Sequence, residues 1–437
     1  MDEQTSTVSV PNRWFIAVCG TLLQLCLGSV YAWSYFQNPL CEAYGWTNAQ
    51  VAAVFSIAIC FLGIAAAWGG VNLGKFGPRR LATIGGALFG IGYLVAAGGL
   101  HFKSLALLYL GYGVIGGVGL GLGYVTPVAT AAKWFPDKKG LVTGMVVMGF
   151  GFGALLMSKV VAPVMVSFAT SASTGKAGYA AAFAYIGVLY CILTPLFGSF
   201  LRNPPANWAP GKAAAGGGTQ PAGSGGEVTA KECLVSLHFA MMWLVFFCNI
   251  AAGIAIICFQ SPLFQDLWRR IRPGIDGKTV AAYGTTLIAV SSLFNGAGRF
   301  FWGGVSDRIG RANTFRIMLV TQVAAFVALV FAGSPWVFGA LICYVLLCYG
   351  GGFGTMPSFV SDVFGPKVMA TVYGAILTAW AAAGIAGPQV FGVIKDKVLP
   401  IEKASTYSFF IAAGLLAAGL VVSLVFLGDK RFERRAK

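Results

Sequence analysis

The sequence is poor in charged residues, and acids are especially scarce. Only 10% of its 437 residues are Asp, Glu, Lys or Arg, against about 25% in ordinary soluble domains. The 14 acidic residues are outnumbered by 30 Lys and Arg residues. This composition does not fit a soluble protein with a large core. We expect a lipid bilayer to surround most of the chain.

Several kinds of chemical site are also missing. The ten cysteines include no CxxC pair, and most lie in apolar segments, which is typical of small buried side chains rather than of a disulfide or zinc framework. The two histidines, His101 and His238, are too far apart in the sequence to indicate a metal or catalytic site. No Walker A motif is present. We therefore predict no metal, no cofactor and no enzymatic activity.

What the sequence does contain is long apolar runs. Hydrophobic residues make up 57% of the chain, and the mean hydropathy is +0.77. Twelve runs are long enough to cross a hydrocarbon core of about 30 Å. They form two sets of six and are numbered here as spans 1 to 12: 14–37, 48–71, 81–100, 104–129, 140–168, 178–201, 238–262, 280–304, 314–333, 336–360, 368–393 and 405–427. The predicted fold class is an all-α polytopic membrane protein with twelve transmembrane helices in two six-helix bundles.

A stretch rich in Pro, Gly, Ala and Ser separates the two sets and has no apolar period, which favours a flexible linker. We predict an N-terminal bundle over residues 1–202, a cytoplasmic linker over 203–231, and a C-terminal bundle with a basic tail over 232–437. The polar, acidic N-terminus lacks the basic region of a cleaved signal, so we expect the first span to be retained.

The net charge of +16 does not favour nucleic acid as a partner, because the basic residues lie between apolar segments and at the C-terminus. If both termini and the linker share one side, that side carries 19 of the 30 Lys and Arg residues. The positive-inside rule then places both termini in the cytoplasm of a cell inner (plasma) membrane. One outer loop is an exception and is either a cationic vestibule for anions or a solvated loop; it contains Arg269, Arg270, Arg272 and Lys278.

A charged glycine-rich turn occurs twice, 233 residues apart, after span 2 and after span 8. Its residues are Gly70, Lys75, Gly77 and Arg79 in the first copy, and Gly303, Asp307, Arg308, Gly310 and Arg311 in the second. The repeat predicts two parallel six-helix units related by an axis along the membrane normal. We expect these turns to act in the conformational change between the units.

Arg299 is the most informative single residue. It precedes the turn at Asp307 by eight residues, so it lies roughly 12 Å inside the charged end of a helix. A guanidinium at that depth is costly and indicates a functional site. The matching position of the first half is Ala66, so the repeat itself does not require a charge there. An anion ligand is the favoured interpretation, and a structural arginine bonded to backbone carbonyls is the alternative.

The doubled turn, the six-plus-six spans and the central linker resemble the major facilitator superfamily over essentially the whole chain. One departure is Gly74, where the family usually has an acid that acts as a charge–dipole latch. Within the superfamily, the chain resembles the oxalate:formate antiporter family and its bacterial lactate-transporter relatives. The matching residues are NRW at 12–14, GSVYAW at 28–33, KWFPDKKG at 133–140 and FNG at 294–296.

That resemblance implies transport of small carboxylates by alternating access, with an arginine and a lysine that grip the substrate inside an aromatic cage. The arginine corresponds to Arg299, and the cage positions correspond to Tyr31, Tyr124 and Tyr349. The place of the lysine is taken by Trp380. Asn295, one helical turn before Arg299, is expected to donate to the substrate or to orient the guanidinium.

Because Arg299 is the only cation expected in the cavity, we predict a monocarboxylate substrate of the lactate, pyruvate or formate type. Lys159 lies far along span 5, and we expect it to snorkel to the outer edge. Exchange and proton symport both remain open. The alternatives are an oxalate or dicarboxylate exchanger and, from another class, a non-transporting anion sensor. The expected partners are the small organic anion, protons in the case of symport, and the lipid bilayer, without nucleic acid. The expected oligomeric state is a monomer.

Overall fold

A computed structural model describes residues 12–135, 139–170, 178–205, 208, 229–365, 368–398 and 401–426. Most of the predicted linker and the whole basic tail lie outside the described residues, as do residues 136–138 and 366–367 of the interhelical loops. Every regular element in these ranges is helical. Both the predicted fold class and the number of membrane-spanning helices are confirmed.

Seven of the twelve spans, numbers 2, 3, 4, 7, 8, 10 and 11, are longer than the apolar runs that predicted them, whereas spans 1, 5 and 6 are shorter. They run over Arg13–Ala32, Asn48–Phe76, Pro78–His101, Leu105–Trp134, Val142–Ala169, Tyr179–Ser199, Leu237–Ile271, Gly277–Ile309, Arg311–Val330, Pro335–Phe364, Thr371–Lys397 and Lys403–Val425. Two further helices, Ser34–Tyr44 and Ala230–Leu234, follow span 1 and precede span 7.

Three spans contain 3-10 or π-helical segments, and span 11 is interrupted at Leu377, between the helices Met369–Ile376 and Thr378–Lys397. Span 1 changes to a 3-10 helix over Gly28–Ala32. Spans 4 and 5 contain π-helical segments over Tyr109–Ile115 and Met157–Val161. Such segments break the i→i−4 hydrogen-bond ladder and are frequent at functional sites. None of them was predicted.

The two faces of the bundle are named here by their residues. The terminal face contains Arg13, where span 1 begins, and the two repeated turns; the opposite face contains Asn48, Asp276 and Asp396. In the turns, Gly77 ends span 2 with a φ of 75° and Gly310 ends span 8 with a φ of 87°. Positive φ favours glycine at both positions, so the repeated sequence produces the same sharp turn twice.

Ion pairs hold the second turn, whereas none is found in the first turn among the residues that the structure describes. Arg311 contacts Asp307 at 2.6 Å and Asp362 of span 10 at 3.1 Å. In the first turn, a Cβ added to Gly74 would have nothing within 4 Å. Asp307 thus pairs with Arg311 in the second turn, whereas position 74 of the first turn has no side chain.

The basic loop predicted between spans 7 and 8 is partly wrong. Span 7 continues through Pro262 to Ile271, so Arg269 and Arg270 lie on its last helical turn rather than in a loop. Arg269 lies 4.0 Å from Asp266, one turn earlier. The guanidinium of Arg272 lies 5.9 Å from the ring centroid of Trp268.

Candidate functional site

Arg299 lies in the interior, with 2% of its surface exposed. Its Nη1 donates a hydrogen bond of 3.5 Å to the hydroxyl of Tyr124. Its Nε and Nη2 have no hydrogen-bond partner among the described residues. Buried polar groups are nearly always hydrogen-bonded, and a buried unpaired charge is strongly destabilising. The N–H groups of Nε and Nη2, on one edge of the guanidinium, therefore have no acceptor among the described residues.

Two phenylalanine rings pack against the guanidinium of Arg299. Its Cζ is 5.1 Å from the ring centroid of Phe353 on span 10 and 5.7 Å from that of Phe150 on span 5. Both distances are within the range of a cation–π interaction, which strengthens when water is excluded. Neither phenylalanine was predicted. Phe353 follows Tyr349 by four residues and so shares its helix face, which is the one sequence signal that pointed to it.

Trp380 closes the aromatic group and is fully buried. The centroid of its ring system lies 4.6 Å from that of Phe353, 5.3 Å from Tyr124 and 5.9 Å from Phe150, in edge-to-face arrangements. Tyr31 is slightly farther away, at 6.3 Å. An indole rather than an ammonium therefore occupies this part of the site.

Tyrosine hydroxyls join the two bundles here. The hydroxyls of Tyr31 on span 1 and Tyr349 on span 10 are 2.7 Å apart and share a hydrogen bond. The hydroxyl of Tyr124 on span 4 accepts from Arg299 on span 8, and Tyr373 of span 11 is buried as well. Tyr373 was not predicted, although it precedes Trp380 by seven residues and so lies on the same helix face.

Asn295 is placed differently from the other predicted residues. Its side-chain Oδ1 is buried and accepts no hydrogen bond from the described residues, so it does not orient the guanidinium of Arg299. A Cβ added to Gly350 of span 10 would lie 2.9 Å from this oxygen. The structure thus brings together Arg299, Tyr31, Tyr124, Tyr349 and Trp380, and it places Asn295 one turn away, against span 10.

Glycines position span 8 within the site. A Cβ on Gly354 would lie 2.1 Å from the carbonyl oxygen of Arg299, and a Cβ on Gly298 would lie 2.0 Å from that of Leu347. Both distances are impossible without movement of the backbone, so the glycines allow spans 8 and 10 to approach closely. Their packing sets the position from which Arg299 reaches the aromatic rings.

Span 1 is positioned in the same way. A Cβ on Gly28 would lie 2.0 Å from the carbonyl oxygen of Phe150. The 3-10 segment begins at Gly28 and presents Tyr31 to the ring of Phe150 at a centroid distance of 5.0 Å. Gln24, one turn before Gly28, donates to the carbonyl oxygen of Tyr124 at 2.9 Å. The ring of Phe150 therefore contacts both Tyr31 and Tyr124, and Gln24 of span 1 bonds the backbone of Tyr124.

No second cation lies in this group within the part of the chain that the structure describes. Lys159 is exposed and donates to the hydroxyl of Thr286 at 2.8 Å, outside the aromatic group. The carboxylates of the described helices lie near helix ends, as Asp266, Asp307, Asp362 and Asp396 do.

Twelve membrane-spanning helices around a buried arginine are typical of a polytopic membrane carrier. Comparison with known proteins defines the class of carrier. A model of the Major Facilitator Superfamily matches residues 14–388. The chain belongs to the Major Facilitator Superfamily.

Two relatives of known name are similar along most of their length. The oxalate:formate antiporter of Oxalobacter formigenes is 29% identical over 385 residues, covering 87% of this chain and 85% of that protein. Apicoplast pyruvate carrier 1 of Toxoplasma gondii is 28% identical over 458 residues, covering 84% and 80%. Among solved structures, the partially occluded inward-open xylose transporter XylE of E. coli superposes with a TM-score of 0.70 at 16% identity, covering 96% and 98%.

These matches agree with the resemblance drawn from the sequence motifs. The chain is a multi-pass membrane transporter rather than an enzyme. Its curated relatives include named carriers of small organic anions. The XylE match supports the fold alone.

Proposed function

We propose that this protein carries small monocarboxylates, of the lactate, pyruvate or formate type, across the membrane by alternating access. The observation that supports this most directly is the pair of unpartnered donors, Nε and Nη2, on the buried guanidinium of Arg299. These two N–H groups lie on one edge of the guanidinium plane and match the two oxygens of a carboxylate. The ligand's negative charge offsets the cost of burying the cation.

The aromatic groups orient and enclose the anion. Tyr124 holds the other end of the guanidinium through Nη1, which leaves the Nε edge for the substrate. Phe150 and Phe353 flank the guanidinium and exclude water, which strengthens the interaction between the charges. The phenols of Tyr31 and Tyr349 are the remaining polar groups that can bind substrate oxygens.

The presence of Trp380 favours a substrate with one carboxylate over a substrate with two. A dianion buried in the site requires a second cation, and the place that the family resemblance assigns to a lysine holds an indole packed on four aromatic rings. The apolar ring suits the methyl end of lactate or pyruvate. An oxalate or dicarboxylate exchanger is the second candidate, supported by the relative named as an oxalate:formate antiporter.

Two modes of coupling fit this site. In exchange, one anion leaves before another enters; in proton symport, a proton accompanies the anion. Uptake into proteoliposomes driven by an imposed pH gradient, compared with counterflow without a gradient, distinguishes the two. Net uptake that requires the gradient supports symport, and counterflow alone supports exchange.

Further features complete the proposal. The terminal face is cytoplasmic by the charge distribution, the membrane is the cell inner (plasma) membrane, and the protein acts as a monomer without nucleic acid.

Asn295 contributes to anion binding through its amide. The repeated turns act in the rocking of the two bundles, which residues 203–231 connect.

Reconstituted protein tests the substrate class. Labelled lactate, pyruvate, formate and oxalate are offered in parallel to wild-type protein and to Arg299→Ala. We expect uptake of at least one monocarboxylate in preference to oxalate, and loss of that uptake in Arg299→Ala. Preference for oxalate supports the exchanger, and the absence of any carboxylate transport contradicts the proposal and leaves the sensor.

A further inference from the structure

A carboxylate of one bundle caps a helix of the other on the opposite face. Asp396 lies near the end of span 11, and Asn48 is the first residue of span 2. Oδ1 of Asp396 accepts hydrogen bonds of 2.9 Å from both the backbone N–H and the side-chain Nδ2 of Asn48. Its Oδ2 accepts one of 2.8 Å from the backbone N–H of Ala49.

This placement uses two general properties of helix N-termini. The first backbone N–H groups of a helix have no partner within the helix, and the N-terminus carries a partial positive charge. Thr47 and Gln50 of the same bundle already form a capping box, so the N–H groups of Asn48 and Ala49 remain for Asp396. The charged cap therefore joins the bundles rather than serving one helix internally.

The neighbouring contacts between spans 2 and 11 are close as well. A Cβ on Gly392 would lie 2.9 Å from Cα of Ala49. Gln389, one turn deeper, donates to the carbonyl oxygen of Ala49 at 3.3 Å and to the hydroxyl of Ser56 at 3.4 Å. The opposite face is thus closed between these two spans.

We propose that the Asp396 cap holds the opposite face closed. A cap that bonds both bundles stabilises only the conformations in which they meet at that face, so it changes the ratio of the two open states. The proposal does not depend on the substrate and stands apart from the transport specificity.

The test measures the separation of the bundles at each face by electron–electron distance spectroscopy in nanodiscs. Spin labels on unnatural amino acids leave the ten native cysteines in place. One label pair replaces the exposed Glu42 and Lys278 on the opposite face, and the other replaces the exposed Arg80 and Asn313 on the terminal face. Each pair has one label on each bundle.

In Asp396→Ala we expect the ratio of long to short distances on the opposite face to rise about fivefold, the scale of one lost helix cap. The terminal pair should shift toward shorter distances. Asp266→Ala is the matched control, because Asp266 pairs with Lys395 of its own bundle, and it should leave both distributions unchanged. Asn48→Ala removes one donor and should give a smaller shift in the same direction. Distributions in Asp396→Ala and Asn48→Ala that match the wild type would overturn the role of the cap.

Discussion

The hydroxyls of Tyr31 and Tyr349 are 2.7 Å apart and join the two bundles next to Arg299. Any movement that separates spans 1 and 10 must break this bond. A hydrogen bond between neutral groups contributes about 1 kcal/mol, so Tyr31→Phe and Tyr349→Phe should each weaken substrate binding by roughly fivefold. The double variant should lose little more than either single variant, because both remove the same bond. Apparent affinities from uptake kinetics measure the coupling, and additive losses would show that the two phenols act separately.

Trp380→Lys should move the preference of the carrier toward dianions. A lysine in this position adds a second buried cation near Arg299, and a charged hydrogen bond contributes about 1.5–3 kcal/mol. We expect the ratio of oxalate to lactate uptake to rise by at least about tenfold. Trp380→Phe is the control for the loss of the indole alone, and it should not raise oxalate uptake. A lysine variant with the wild-type ratio would show that Trp380 does not determine the number of carboxylates.

Phe353→Ala should reduce affinity through the guanidinium that the ring contacts at 5.1 Å. A shielded cation–π interaction is worth about 1–2 kcal/mol, which corresponds to an increase in KM of roughly fivefold to thirtyfold. Phe301→Ala is the matched control, because Phe301 lies on span 8 with half of its surface exposed. Equal effects of the two variants would assign the loss to general helix packing.

Gly354→Ala should impair the carrier although it leaves every polar group of the site intact. The added Cβ would lie 2.1 Å from the carbonyl oxygen of Arg299, so span 8 must shift and take the guanidinium with it. Gly304→Ala is the control. Gly304 lies on the same span as Arg299, and its added Cβ would have no atom within 4 Å, so span 8 need not shift. There, replacing a helical glycine by alanine should stabilise by up to about 1 kcal/mol. Thermal stability and lactate uptake, measured together, separate loss of folding from displacement of Arg299.

The fold was predictable because the bilayer imposes a simple requirement on the sequence. A span needs about 20 apolar residues, and twelve such runs are visible without any structure. The ends were less predictable: span 7 continues past Pro262 to Ile271, because the helix extends beyond the hydrocarbon core into polar residues. The 3-10 segment at Gly28–Ala32 has no distinct pattern in a chain with 60 glycines.

The centre of the candidate site was predictable for a different reason. A charge is rare inside an apolar run, so Arg299 stood out by itself, and the family resemblance supplied Tyr31, Tyr124, Tyr349 and Trp380. Phe150 and Phe353 could not be singled out from 34 phenylalanines, because a ring that contacts a cation and a ring that contacts lipid look alike in sequence.

The most direct test of the central claim compares two intramembrane cations. Arg299→Gln removes the buried guanidinium, whereas Lys159→Gln removes an exposed ammonium that bonds Thr286. Lactate uptake by reconstituted protein is measured at equal amounts of folded carrier. Because breaking a buried ion pair costs about 3–5 kcal/mol, we predict that Arg299→Gln lowers kcat/KM by roughly 100-fold or more, while Lys159→Gln stays close to the wild type. Wild-type lactate uptake by Arg299→Gln would contradict the assignment of Arg299 as the carboxylate ligand.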